Sequence, residues 1–300
     1  MKRKHLKLII AFALFCMSGM SLYVSCSNPK TAEDFIKSGD AYIEKGKYNS
    51  AIADYTEAIK LDANNAKAYL WRGSAYYWKD KIDLAIADYI EAIRLNPDDG
   101  FAYHQRGSAY IKKGELDLAI TDFNEAIRLA DYNFFAYISR GNAYCDRGDY
   151  DFAIADYTEA IRLADDDILH VMAYTPRGDA YYEKGELDLA IADYTEAIHF
   201  APDYYYVYTL RGHAYHGKGE LDMAITDLTE AIRLETFHSE HPDDIWYIDF
   251  VYKWRGDAYY DKGDYDLAIR DYNDYLEYNP SDDEVKEKLE NALKLRGVRF

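Results

Sequence analysis

One phrase recurs seven times along this chain, and its cleanest copy runs Ala180-Tyr-Tyr-Glu-Lys-Gly-Glu-Leu-Asp-Leu-Ala-Ile-Ala-Asp-Tyr-Thr-Glu-Ala-Ile198. The glycine two residues before each Ala-Tyr marks the register. These are Gly39, Gly73, Gly107, Gly141, Gly178, Gly212 and Gly256, with spacings of 34, 34, 34, 37, 34 and 44 residues. A period in this range belongs to stacked supersecondary units, each touching only its neighbours. Length then reflects copy number rather than domain count.

Counting Ala66 as place 1 of a 34-place unit puts Tyr69, Arg72, Gly73 and Tyr76 at places 4, 7, 8 and 11. That spacing is one stripe of a helix. Ala85, Tyr89, Ala92 and Ile93 fall at places 20, 24, 27 and 28, the stripe of a second helix. Between them most copies carry Gly (Gly46, Gly114, Gly148, Gly185, Gly219, Gly263), as a left-handed helix end requires. Each unit is thus a helical hairpin and the class is all-α. The units run 32–65, 66–99, 100–133, 134–167, 171–204, 205–238 and 249–282.

These residues resemble the tetratricopeptide repeat, whose pattern places an aromatic, Leu-Gly and Tyr on one helix and Ala, aromatic, Ala and Pro on the next. Glycine at place 8, tyrosine at place 11 and alanine at place 20 occur in all seven units. Alanine at place 27 becomes Tyr275 in the last, and the helix-ending proline survives only as Pro97, Pro202 and Pro280. The resemblance covers about residues 32–282 and implies a right-handed superhelical solenoid. Gly73 facing Ala85 would let two helix axes approach closely. Of 32 tyrosines, 18 sit at places 4, 11 and 24 and belong to packing.

Place 7, usually Leu in this family, is Arg in six copies: Arg72, Arg106, Arg140, Arg177, Arg211 and Arg255. Every unit also carries Asp at place 23, from Asp54 to Asp271. An Arg–Asp ladder with arginine stems on tyrosine faces is predicted. Thr31 and Asp34 form a capping arrangement at the first helix. After the last unit, Ser281-Asp-Asp-Glu284 reads as a capping box, followed by an apolar stripe of Val285, Leu289, Ala292 and Leu293. Residues 283–297 are therefore a capping helix, as an array end requires. Insertions of three residues around Asp166–His170 and ten around Ser239–Ile248 disturb the period and mark places where curvature would change. Thr175-Pro176 reads as N-cap and first residue of a delayed helix, since an interior proline costs about 3 kcal/mol.

The N-terminus reads as an address. Lys2, Arg3, Lys4 and Lys7 precede an apolar run from Leu8 to Val24, the layout of a signal peptide over 1–25. The run leads into Leu22-Tyr-Val-Ser-Cys26, which resembles a bacterial lipoprotein signal, although Tyr23 stands where that signal prefers an aliphatic residue. The resemblance implies lipidation at Cys26, a short tether over 26–31 and membrane anchoring at the cell envelope. The other cysteines, Cys16 and Cys145, suggest neither a disulfide framework nor a metal site.

The net charge is −19, and the first 25 residues hold four Lys/Arg and no acid, so the remainder is more acidic still. This argues against nucleic-acid binding, which relies on cations, and favours basic partners. No nucleophile elbow, phosphate-cradling loop or metalloprotease helix is present, so an enzyme is not expected and no cofactor is implied. His213 with His216, and His238 with His241, could each share a metal but lack further ligands at a readable spacing.

The resemblance implies a concave surface lined by places 2, 5, 9, 12 and 13 of the first helices. Those places hold Leu70, Tyr77 and Trp78, then Phe101, His104 and Ile111, then Phe135, Ile138, Asn142 and Cys145. Further along come Met172, Asp179 and Tyr182; Tyr206, His213 and His216; and Phe250, Lys253, Asp257 and Tyr260. An apolar lining of this kind marks a partner site. The Lys/Asn clamp that some family members use for peptide carboxylates is not apparent. The expected function is a non-catalytic protein–protein scaffold. The alternative is a carrier holding a small hydrophobic ligand inside the superhelix.

Overall fold

The computed structural model describes residues 30–129, 133–238 and 248–297. Among these residues there are only helices and turns. The first unit gives α1 (Ala32–Ile43) and α2 (Tyr48–Leu61), the second α3 (Ala66–Trp78) and α4 (Ile82–Leu95), the third α5 (Gly100–Lys113) and α6 (Leu116–Arg128). The fourth gives α7 (Asn133–Arg147) and α8 (Tyr150–Leu163), the fifth α9 (Asp167–Glu183) and α10 (Leu187–Phe200). The sixth gives α11 (Tyr205–Gly217) and α12 (Leu221–His238), the seventh α13 (Ile248–Lys262) and α14 (Tyr265–Tyr278), and α15 (Asp283–Arg296) follows. The segment expected to be a signal peptide, Cys26 and most of the expected tether lie outside the described residues.

Each hairpin turns the same way. Gly114 and Gly148, with φ of 80° and 83°, adopt the left-handed conformation at place 15. The next amide then reaches back to the carbonyl of the place-11 tyrosine, as from Glu115 to Tyr110 at 2.9 Å. In the second unit Asp80 takes this role with φ 57°. Place 8 is glycine for a different reason. A Cβ on Gly73 would lie 2.8 Å from the Tyr89 ring and 3.2 Å from the Ala85 carbonyl oxygen. The glycine therefore makes room for the place-24 aromatic even more than for the alanine the sequence opposes to it.

The arginine ladder forms in full. Nε and Nη2 of Arg72 donate to the two oxygens of Asp88, both at 2.8 Å, and the same fork joins Arg106–Asp122, Arg140–Asp156, Arg177–Asp193, Arg211–Asp227 and Arg255–Asp271. The third nitrogen often crosses to the preceding unit, as from Arg211 Nη1 to Thr195 Oγ1 at 3.0 Å. Each guanidinium sits 5.4–5.8 Å from its place-4 tyrosine ring. The hydrogen bond to Asp88 raises the Arg72 pKa. The first unit has Ser38 at place 7, and Asp54 Oδ2 is buried there without a hydrogen-bond partner.

The two ends are closed differently. Thr31 and Asp34 form the predicted reciprocal capping box. At the other end Asp282, not Ser281, caps α15 by accepting from the Val285 amide at 3.1 Å. Tyr275, which replaces the usual alanine, is buried and donates to Asp282 at 2.8 Å, so the last unit is adapted to the capping helix. Val285 and Ala292 are buried, whereas Leu293 faces solvent.

The delayed helix does not occur. Asp166 caps α9 by accepting from Leu169 at 2.8 Å, and the helix runs through Pro176, while Thr175 Oγ1 is buried with no partner. The three-residue insertion lengthens α9 at its start, and stacking of His170 on Phe200, with centroids 4.4 Å apart, pins that extra turn. These contacts offset the hydrogen bond that proline cannot donate. The longer insertion lies mostly outside the described residues.

Candidate partner-binding groove

Neighbouring helices show which side is concave. Successive first helices, such as α7 and α9 or α9 and α11, touch each other, and among the described residues no comparable contact joins successive second helices. The first helices therefore sit on the inside of the curve, and the second helices fan out on the outside.

Much of the expected lining faces this inner side. Phe135 is 45% exposed, Met172 40% and Phe250 43%. Phe101, Ile111, Ile138, Tyr182 and Tyr206 are half-buried. Tyr77 lies under the Lys112 ammonium, 4.6 Å from its ring centroid. His104 is half-buried, and Nε2 lies 3.0 Å from Ser139 Oγ. Burial lowers its pKa, which keeps the imidazole neutral. Cys145 Sγ lies 3.5 Å from the Tyr157 hydroxyl, and burial raises the thiol pKa, so it is not a reactive thiolate.

Several expected groove residues serve the fold instead. Leu70 is 5% exposed and packs in the core with Tyr89, so it is not groove lining. Trp78 stacks on Tyr48 at the hairpin-turn edge but, at 64% exposed, stays accessible. Lys253 reaches Asp282 and Glu284 at the start of α15, at 3.8 and 3.9 Å, and Asp257 meets Lys288 at 2.9 Å. The capping helix thus occupies the groove's C-terminal end. Tyr260 packs edge-on against Tyr265.

His213 and His216 find partners other than metal, and the side chain of His238 is not among those described. His213 stacks on Trp254 with centroids 4.1 Å apart, and burial drops its pKa to about 4. His216 Nε2 lies 2.9 Å from Asp261 Oδ2. No cluster of three or more His, Cys, Asp or Glu residues suited to a metal occurs among the described residues. His241 lies outside them.

The sequence did not anticipate the role of place 9. Its side chain takes the hydroxyl of the buried place-24 tyrosine fifteen residues later. Tyr55 donates to Asp40, Tyr157 to Asn142 and Tyr194 to Asp179, each at 2.7 Å, and Tyr272 donates to Asp257 at 2.8 Å. Where place 24 is Phe123 or Leu228, place 9 is Ser108 or His213 instead. Serine nevertheless also accompanies a tyrosine, since Tyr89 reaches Ser74 at 3.4 Å, so the sequence signal is limited to the four units in which Asp or Asn at place 9 accompanies tyrosine at place 24. Two clefts open beside the groove between α9 and its successors. One, of about 330 Å³, is lined by Asp179, Tyr182, Glu183, Tyr206, Leu210 and His213. The other, of about 300 Å³, is apolar and lined by Ile168, Val171, Met172, Phe200 and Tyr204.

Comparison with known proteins agrees with this architecture. The family model described as TPR repeat matches residues 39–80 and 178–219. Models described as tetratricopeptide repeat match 66–99, 102–133, 134–167, 205–238 and 250–282. The chain belongs to the tetratricopeptide repeat family. A tetratricopeptide repeat protein from Parabacteroides merdae aligns with TM-score 0.61 and 19% identity, over 87% of this chain and 98% of that one. The C-terminal part of a TPR repeat-containing protein from Cytophaga hutchinsonii gives 0.67 and 20%, over 85% and 99%. YrrB, described as a TPR protein with an unusual peptide-binding site, gives 0.51 and 22%, over 61% and 93%. No curated protein matches.

Proposed function

We propose that this chain is a non-catalytic protein-interaction scaffold, tethered by a lipid on Cys26 to the bacterial cell envelope, that holds a segment of another protein in its concave groove. One observation carries the reading. Phe135 and Met172 are large, apolar and 45% and 40% exposed on the side where first helices converge. Packing between hairpins uses places 3, 8, 10, 20, 24 and 27, so it leaves these side chains available to a partner. The acidic balance of the chain favours a partner with basic residues, through steering and charge complementarity. The lipoprotein-like leader supports anchoring, and the few residues between Cys26 and Thr31 would keep the first hairpin close to the lipid headgroups.

Crosslinked pulldown with the full chain tests the groove. A partner recovered by the native chain and lost after Tyr77→Ala, Phe101→Ala and Phe135→Ala together supports it, and retention by that variant refutes it. Metabolic labelling with an alkyne fatty acid tests the tether. Label on the native chain and none on Cys26→Ala is expected.

A further inference from the structure

The cleft between the fifth and sixth units lacks something that its counterparts contain. Three units place an aspartate at place 9 with one oxygen taken by a buried tyrosine hydroxyl. In the first unit Asp40 Oδ2 faces Lys67 Nζ at 3.4 Å, a lysine from place 2 of the following unit. In the last unit Asp257 accepts from Lys288 Nζ of the capping helix at 2.9 Å. In the fifth unit Asp179 Oδ1 accepts from Tyr194 at 2.7 Å, and no lysine or arginine of the described residues pairs with the carboxylate. Place 2 of the next unit is Tyr206 rather than lysine.

A second counterpart repeats the lesson one turn along. Tyr77 at place 12 of the second unit carries the Lys112 ammonium over its ring, supplied from place 13 of the following unit. Tyr182 occupies the same place in the fifth unit, and place 13 of its follower is Gly217. Tyr182 stacks instead on the His213 ring, centroids 5.2 Å apart, so at this junction neither the Asp nor the Tyr meets a lysine or arginine of the described residues. The cleft of about 330 Å³ lies there, with Tyr182 and Tyr206 as walls and the Glu183 carboxylate beside them. His213 does not substitute, because burial holds its pKa near 4 and leaves it neutral.

We infer that this cleft is a receptor for one lysine or arginine side chain of the partner segment, with Asp179 as counter-ion and Tyr182 and Tyr206 as aromatic walls; this rests on the groove reading above. The cation would recreate in trans what Lys67 and Lys112 do in cis. A partly desolvated carboxylate beside aromatic faces suits a cation better than a neutral side chain. Burial pushes the Asp179 carboxyl up to about 6, which an incoming cation would reverse.

The test selects random displayed peptides against the full chain and then measures the winners on two variants. Asp179→Asn removes the charge and keeps the acceptor, since Asn142 already takes the Tyr157 hydroxyl at the same place. Tyr206→Lys supplies the missing cation from the chain itself. Selected peptides should share a Lys or Arg at one fixed position, and either variant should weaken them about tenfold or more. Peptides with no fixed cation, bound equally by Asp179→Asn but lost on Phe101→Ala with Phe135→Ala, would overturn this inference and leave the groove reading standing. Failure to select any groove-dependent peptide would overturn both.

Discussion

Arg106→Leu isolates the energetics of the ladder. Asp122 and Arg106 side chains are 5% and 18% exposed, and the pair is held by two hydrogen bonds of 2.7 and 2.8 Å. The preceding unit offers Ile90 where others offer Thr or Asn, so no third bond to that position complicates the comparison. Leucine keeps part of the packing against Tyr103 and removes the guanidinium, leaving a buried carboxylate alone. Breaking such a pair costs about 3–5 kcal/mol, and the partial exposure of Arg106 brings the expected loss to about 2–4 kcal/mol. Arg106→Leu with Asp122→Leu removes both charges and should return to within about 1 kcal/mol of the native chain. Urea unfolding followed by helix signal reads the stability, and hydrogen exchange of α5 and α6 amides localises the effect, because a solenoid couples only neighbours. The sign of the pH dependence is also fixed. Burial raises the Asp122 pKa above its unfolded value, so the single variant's penalty shrinks as pH falls through that raised value. An unchanged midpoint in the single variant, or a double variant no better than the single, would refute the reasoning.

Other consequences follow from the same contacts. Ser38→Arg gives Asp54 the partner its counterparts have and should slow hydrogen exchange in α1 and α2, by about 1 kcal/mol of added stability. Gly73→Ala drives a Cβ to within 2.8 Å of the Tyr89 ring and should cost about 1–3 kcal/mol, seen as a lower urea midpoint. Asp179→Asn should stabilise the chain at pH 7 by on the order of 1–3 kcal/mol and have no effect near pH 3, because a carboxyl raised from 3.8 to about 6 is penalised only when ionised. Thermal melts across pH check this, with Tyr194, Glu183, Tyr206 and His213 as the groups around it. Lys262→Ala breaks an ion pair to the exposed Asp222 and should leave the midpoint unmoved.

The fold was legible because its contacts recur at fixed spacing. Arg106 and Asp122 are sixteen residues apart in a pattern repeated six times, which makes a long-range pair readable as a local one. The contacts at the irregular places were not. Pro176 suggested a helix start because a proline inside a helix is costly, yet the inserted residues place Asp166 and His170 where they cap and pin a longer helix. Lys253 and Asp257 looked like groove residues until α15 brought Asp282 and Lys288 against them, a docking that sequence spacing does not encode. Leu70 shares a helical place with His104 and Ile138, and only its packing against Tyr89 puts it inside. The hydroxyl bonds at place 9 were readable only in part, since Asp or Asn accompanies the place-24 tyrosine in four units but serine accompanies both Tyr89 and Phe123.

Site-specific photo-crosslinking tests the central claim most directly. Phe135 lies on the inner face and Phe152, 61% exposed, begins a second helix on the outer one. A crosslinker at 135 should capture a discrete partner that competes with peptides selected on the groove, and one at 152 should not. Capture from 152 with none from 135 would contradict the claim that the concave side does the binding.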